Sequence, residues 1–129
     1  MLGNNINSPI LLHILEMTSG DGDKTLKEGD SVEIYCRPPE TSSTISWFRV
    51  RDKSSMEFIA SFDFRGKSKT QLSPRFSAEK MGKNILILKS FDKALDSGVY
   101  GCGILKNSDM IFGSVTRLTG GEFCFRSLV

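Results

Sequence analysis

Histidine is almost missing from this chain: 129 residues contain one, His13. Imidazole changes charge near neutral pH and is the commonest metal ligand, so its scarcity removes most acid–base and metal chemistry. His13 itself sits in an apolar N-terminal strand, where a structural or exposed role is the common one. The sequence also lacks a CxxC pair, a metal-spaced Cys/His cluster, a GxSxG elbow and a Gly-rich phosphate cradle. It reads as a non-enzyme, with no cofactor, no metal and no small-molecule substrate. Long apolar runs are missing too. None approaches the roughly 20 residues that span a bilayer. Ile10-Leu11-Leu12 is cut by His13 and has no flanking basic segment or small-residue cleavage site. Neither sign of charge dominates. A net charge of +2 excludes a strong pull toward nucleic acid or acidic lipid. No Asn-x-Ser/Thr sequon is present, so N-glycosylation is not expected.

What the chain does have is strands. At this length one domain buries about two-thirds of the surface its unfolded form exposes. Apolar residues alternate with a period of two, and no helical stripe stands out. Val32, Ile34 and Cys36 share one face of a strand over 31–36, against Glu33 and Tyr35. Ile45, Trp47 and Arg49 share one face of the next, with Ser46, Phe48 and Val50 opposite. Over 56–62, Met56, Phe58, Ala60 and Phe62 fall on one face and Ile59 on the other. Residues 75–77 and 84–88 flank the turn Lys80-Met81-Gly82-Lys83 as a hairpin. Residues 99–105 and 110–119 form the last pair, with Asn107-Ser108-Asp109 at its tip, and Lys93-Ala94-Leu95 makes one helical turn before Asp96. Eight or nine short strands so spaced predict an all-β, antiparallel Greek-key sandwich.

Cys36 is followed eleven residues later by the lone Trp47, and Tyr100 stands two residues before Cys102 in Asp96-Ser97-Gly98-Val99-Tyr100-Gly101-Cys102. This constellation resembles the immunoglobulin sandwich. The resemblance implies a Cys36–Cys102 disulfide beneath Trp47 and a Tyr100 hydroxyl that pins a backbone corner. The alternative is two buried free thiols in a cytosolic protein. Closing a loop of this length contributes roughly 4 kcal/mol, and such a bond belongs to an oxidising, extracellular setting. An extra strand pair between Val50 and Leu72 points to the variable-type (V-set) form, over residues 10–119. Residues 1–9 are then an N-terminal extension and 120–129 a tail or the start of a stalk. Met1 reads as an initiator ahead of a mature N-terminus, and the chain as part of an ectodomain. In this form Arg75 and Asp96 make a partly buried, bidentate ion pair that fixes a corner. Cys124 is left over. It fits an interchain bond, a free tail thiol, or no role of its own.

The stretch from Arg75 to Gly82 and the stretch from Asp96 to Phe112 carry a narrower resemblance. They are similar to the alpha chain of the T-cell surface co-receptors for class I MHC. The most specific part is Cys102-x-x-Leu105-x-Asn107-Ser108-x-Met110-x-Phe112, and the likeness spans about 26–118. Residues 57–61 and 112–118 look more like the beta chain or a joining segment, and Asp109 stands where the alpha chain tends to be apolar. The resemblance implies an ectodomain of a single-pass receptor on the outer side of the plasma membrane. Its partner would be the membrane-proximal domain of the class I MHC heavy chain, in support of T-cell antigen recognition. Lys106, Asn107, Ser108 and Asp109 would lie at that contact, supported by Arg37 of the first loop and by Phe64 and Arg65 of the second.

Two further features bear on partners. Phe48, Val50, Met56, Phe58 and Phe112 point away from the Trp47 face and predict an apolar patch through which variable-type domains pair. The expected assembly is a homodimer, or a heterodimer with a paralogous chain. Charge is uneven along the chain: residues 1–36 carry −4, 37–83 carry +5 and 84–129 carry +1. The basic middle third favours an acidic patch on a partner. An antigen-receptor variable domain or another V-set adhesion module is the competing reading. The short 106–109 loop and only two tyrosines, Tyr35 and Tyr100, argue against an antigen-selected loop.

Overall fold

Two-residue alternation becomes two facing sheets. A computed structural model describes residues 19–51 and 53–121. The strands are β1 (Ser19–Leu26), β2 (Val32–Tyr35), β3 (Thr44–Arg51), β4 (Met56–Asp63), β5 (Phe76–Ser77), β6 (Ile85–Leu88), β7 (Gly98–Lys106) and β8 (Asp109–Gly120). A 3-10 turn at Met81–Lys83 separates β5 from β6, and one helical turn, α1 (Lys93–Asp96), precedes β7. Asp92 caps that turn by accepting the N–H groups of Ala94 and Leu95. One sheet has the order β1-β8-β7-β3-β4 and the other β2-β6-β5. All pairs are antiparallel except β1 on β8, which is parallel. The expectations for residues 1–9, His13 and Cys124 lie outside the described residues.

The core lies between the sheets. Ile34, Trp47, Ala60, Phe62, Leu86, Leu88, Tyr100 and Leu118 meet there, with Phe91 closing it. Cys36 and Cys102 are disulfide-bonded across it, with a Cα–Cα distance of 6.0 Å. Trp47 sits directly opposite Cys102 in the β3–β7 register, which places the indole beside the disulfide. Truncating a side chain of that size to Ala costs about 3–5 kcal/mol.

Three expectations need correction. The alternation over 56–62 is not continuous. Trp47 faces Ala60 but Phe48 faces Phe58, so Ile59 is an extra residue in β4. The bulge switches the phase of the strand. Met56 and Phe58 therefore turn outward with Phe48, while Ala60 and Phe62 enter the core. The extra strand pair is reduced to β4 alone: beyond it the chain makes one bridge, Phe62 to Ser68, and no second strand. Finally, Val50 and Phe112 are not exposed. They are 7% and 6% accessible within a second small cluster with Val99 and Val115 on the outer face of the large sheet. Gly103 explains this cover. A Cβ there would stand 2.9 Å from the Met110 sulfur and 3.2 Å from the Phe112 ring, so these side chains lie across it.

Candidate ligand-binding surface

Register places the three candidate loops at one end. Thr44 pairs with Asp63 at the open end of the β3–β4 pair, away from the connection between the two strands, Ser46 pairs with Gly103, and Lys106 pairs with Asp109 at the β7–β8 tip. Loops 37–43, 63–69 and 106–109 therefore emerge together. The β7–β8 tip is a two-residue turn. Asn107 and Ser108 have φ of 53° and 71°, the left-handed backbone that matches the strand twist. Asn adopts that region readily and Ser less so. Lys106, Asn107, Ser108 and Asp109 are all exposed.

Side chains tie these loops to one another. The Lys106 ammonium lies 2.9 Å from the Glu40 carboxylate of the first loop, both about half exposed. Such a pair contributes less than about 1 kcal/mol, but it neutralises the only cation at the tip. Arg37 is exposed, and its backbone exchanges hydrogen bonds with Ser114: its N–H donates to Ser114 Oγ at 2.8 Å, and its carbonyl accepts the Ser114 N–H at 3.2 Å. In the second loop Lys69 donates to Thr44 Oγ1 at 2.6 Å. One Asp63 carboxylate oxygen accepts the N–H groups of Arg65 and Lys67, each at 2.9 Å. These bonds, with the Lys67 N–H foremost, hold the Asp63 carboxyl below its usual range.

Phe64 is 64% accessible at the apex of that loop, and the Arg65 guanidinium lies 5.3 Å from its ring centre. Gly66, with φ of +93°, has no room for a side chain: a Cβ would approach the Gly82 nitrogen to 2.5 Å. The second loop is thus pressed onto the 3-10 turn.

The opposite end of the sandwich holds the ion pair. Asp96 is fully buried and accepts from two arginines: Arg75 at one oxygen and Arg49 at the other, the latter at 3.3 Å. The pair is therefore shared rather than bidentate, because the second Arg75 bond goes to the Ser90 carbonyl. Tyr100 donates its hydroxyl to the Asp96 carbonyl at 2.7 Å and accepts from Arg49 at 3.2 Å. Glu57 receives Arg49 at 3.0 Å and Arg51 at 2.6 Å. Burial works against the Glu57 charge, but the two guanidiniums hold its carboxyl below the usual range. Burial likewise opposes the Arg49 charge, and Tyr100 and Glu57 outweigh it and leave Arg49 above its usual value. For Tyr100, burial raises the phenol against the pull of Arg49. This network fixes the fold and is remote from the loops.

On the outer face of the large sheet, Phe48 meets Phe58 and Phe112 edge to face at 5.9 and 5.8 Å. Phe58 is 54% accessible, and Leu105, so far only a position in the Cys102–Phe112 motif, is 68% accessible and belongs to this face. Its signal was there: Gly101, Gly103 and Leu105 follow one another on one face of β7. No helix among the described residues is long and apolar enough to cross a membrane. The sequence profile of the immunoglobulin V-set domain matches residues 20–119. No curated protein matches the chain.

Proposed function

The chain belongs to the immunoglobulin V-set family, and from that premise we propose that it is the ligand-binding ectodomain of a T-cell co-receptor for class I MHC. V-set domains typically stand outside the cell in immune and adhesion receptors. The fold alone hosts many ligands. The observation that carries the narrower reading is the β7–β8 tip. Its two-residue, left-handed Asn107-Ser108 turn sits inside the run from Cys102 to Phe112 that resembles the alpha chain. Cys102 anchors β7 in the core, so the tip is presented on a rigid base. Short polar side chains there suit a protruding polar loop of the membrane-proximal MHC domain. Asp109, Lys106 and Arg37 flank the contact, with Phe64 and Arg65 beside it.

The domain acts as a pair, either with a second copy or with a paralogous chain, through the outer face of the large sheet. Phe58 and Leu105 offer exposed apolar surface there, with Phe48, Met56 and Met110 partly covered between them. Val50 and Phe112 support that face from beneath. A standard interface buries about 800 Å² per partner. Two tips side by side then grip one ligand loop from both sides.

Replacing both Asn107 and Ser108 by Ala puts two Ala at positive φ, which lowers the melting temperature by a few degrees but leaves the chain folded, and it abolishes binding to class I MHC by surface plasmon resonance. Retained binding refutes the tip as the contact. Light scattering on the same sample reads the pairing, and a monomer at tens of micromolar refutes it.

A further inference from the structure

The 63–69 loop carries features that the hairpin tip lacks. Its cations are not spent on neighbouring carboxylates in the way Lys106 is spent on Glu40. Residues 63–69 and the adjoining 79–83 turn hold five cations (Arg65, Lys67, Lys69, Lys80 and Lys83) against two carboxylates, Asp63 and Glu79. Lys80 is bound at 2.5 Å to Glu33. Asp63 uses a carboxylate oxygen on backbone N–H groups of its own loop. At the centre stands Phe64, with Arg65 over its ring. A lone exposed aromatic means little, but this one is held in place. The Gly66 N–H donates to the Asp63 carbonyl at 2.9 Å, the Asp63 N–H donates to Lys67, and the clamp of Gly66 on Gly82 fixes the apex. An aromatic and an arginine carried on an ordered backbone lose less entropy on binding than they would on a loose loop, and they have the composition of an interface hot spot.

We infer that Phe64 and Arg65 form a pre-ordered anchor for an acidic protein segment carrying an aliphatic side chain. The aliphatic group packs on the exposed Phe64 ring, and carboxylates on either side of it pair with Arg65, Lys67 and Lys83. A sulfated polysaccharide would meet the cations, but its hydrated, charged rings cover Phe64 less well than an aliphatic side chain does, so the ring favours a protein segment. The inference rests on the reading that this end of the domain faces its partner, but not on that partner being class I MHC.

The test uses no MHC. The isotope-labelled chain is titrated by NMR with a short peptide of Glu and Asp around a central Leu, with the same peptide bearing Ala, and with a heparin hexasaccharide. The Leu peptide shifts the amides of Phe64 to Lys67 saturably and leaves Asn107 and Ser108 in place. Its affinity falls about tenfold on Phe64→Ala, on Arg65→Gln and in the Ala peptide. High salt weakens it, since screening shortens from ~10 Å at 0.1 M to ~3 Å at 1 M. Phe64 is exposed, so Phe64→Ala keeps its melting temperature. The inference is overturned if the peptide causes no saturable shift at 64–67, if Ala serves as well as Leu, or if hexasaccharide binding matches the peptide and ignores Phe64→Ala.

Discussion

The two ends of the sandwich handle charge in opposite ways. At the Asp96 end, Arg49, Arg51, Arg75, Glu57, Asp96 and Tyr100 pair with one another, with Asp96 sealed from water. At the loop end, the ion pairs among the described residues are Lys106 with Glu40 and Lys80 with Glu33, and both are half exposed. The same residue types therefore serve different purposes. A buried carboxylate shared by two arginines fixes where α1 meets β7 and commits those side chains to the fold. Exposed cations on a stiffened loop add little to stability and remain available to a partner. Charge that is internally satisfied is a poor guide to function, and charge that is not is a better one.

The contrast is sharpest in a substitution at Asp96. Changing Asp96→Asn removes the charge that answers both Arg49 and Arg75 and leaves those guanidiniums facing a neutral amide. Breaking a buried pair in this way costs about 3–5 kcal/mol, a large share of the stability of a domain this size. Urea unfolding followed by Trp47 fluorescence reads it. A loss below about 1 kcal/mol would mean that the network decorates the fold rather than holding it.

The two ends also differ in how far the sequence foretold them. The disulfide, Trp47, Tyr100 and most strands from residue 31 onward were legible because each rests on a local signature or on spacing along one strand, whereas β1, with Gly and Asp in place of an apolar alternation, and its parallel pairing with β8 were not. Arg49 was placed on the core face, but its role was not legible, since its partners lie 8 and 47 residues away. The Ile59 bulge was hidden because alternation is read at constant phase, and one extra residue leaves no mark of its own among apolar neighbours. For the loops, Asn107-Ser108 was legible as turn chemistry. The neutralisation of Lys106 was not, because Glu40 is 66 residues distant. Nor was the stiffening of Phe64, which depends on Gly66 meeting Gly82 across a separation that no periodicity encodes.

A middle-sized effect belongs to that stiffening. Gly66→Ala forces a Cβ to within 2.5 Å of the Gly82 backbone and strains a residue at φ +93°. The expected loss is about 1–3 kcal/mol, read as a lower melting temperature. Hydrogen exchange should speed up at the Gly66 and Lys67 amides while the β7 amides keep their protection relative to global unfolding. If the loss is spread evenly over the domain instead, the second loop is part of the folded core and the contrast between the two ends weakens.

The smallest effect separates folding from recognition at the hairpin tip. Ser108 holds a φ of 71°, a region that glycine enters at no steric cost and serine enters less readily. Glycine is also the favoured residue at the second position of a two-residue turn of this kind. If Ser108 were present for the fold alone, Gly would do its work better. Against this, glycine loses more backbone entropy on folding, so Ser108→Gly should raise stability by no more than about 1 kcal/mol. Its hydroxyl, however, is gone, and with it one short donor and acceptor at the proposed contact. The expected outcome is an equal or slightly higher melting temperature together with weaker class I MHC binding. A variant that is both more stable and undiminished in binding would show that Ser108 is plain turn chemistry, and would leave Asn107 to carry the tip contact.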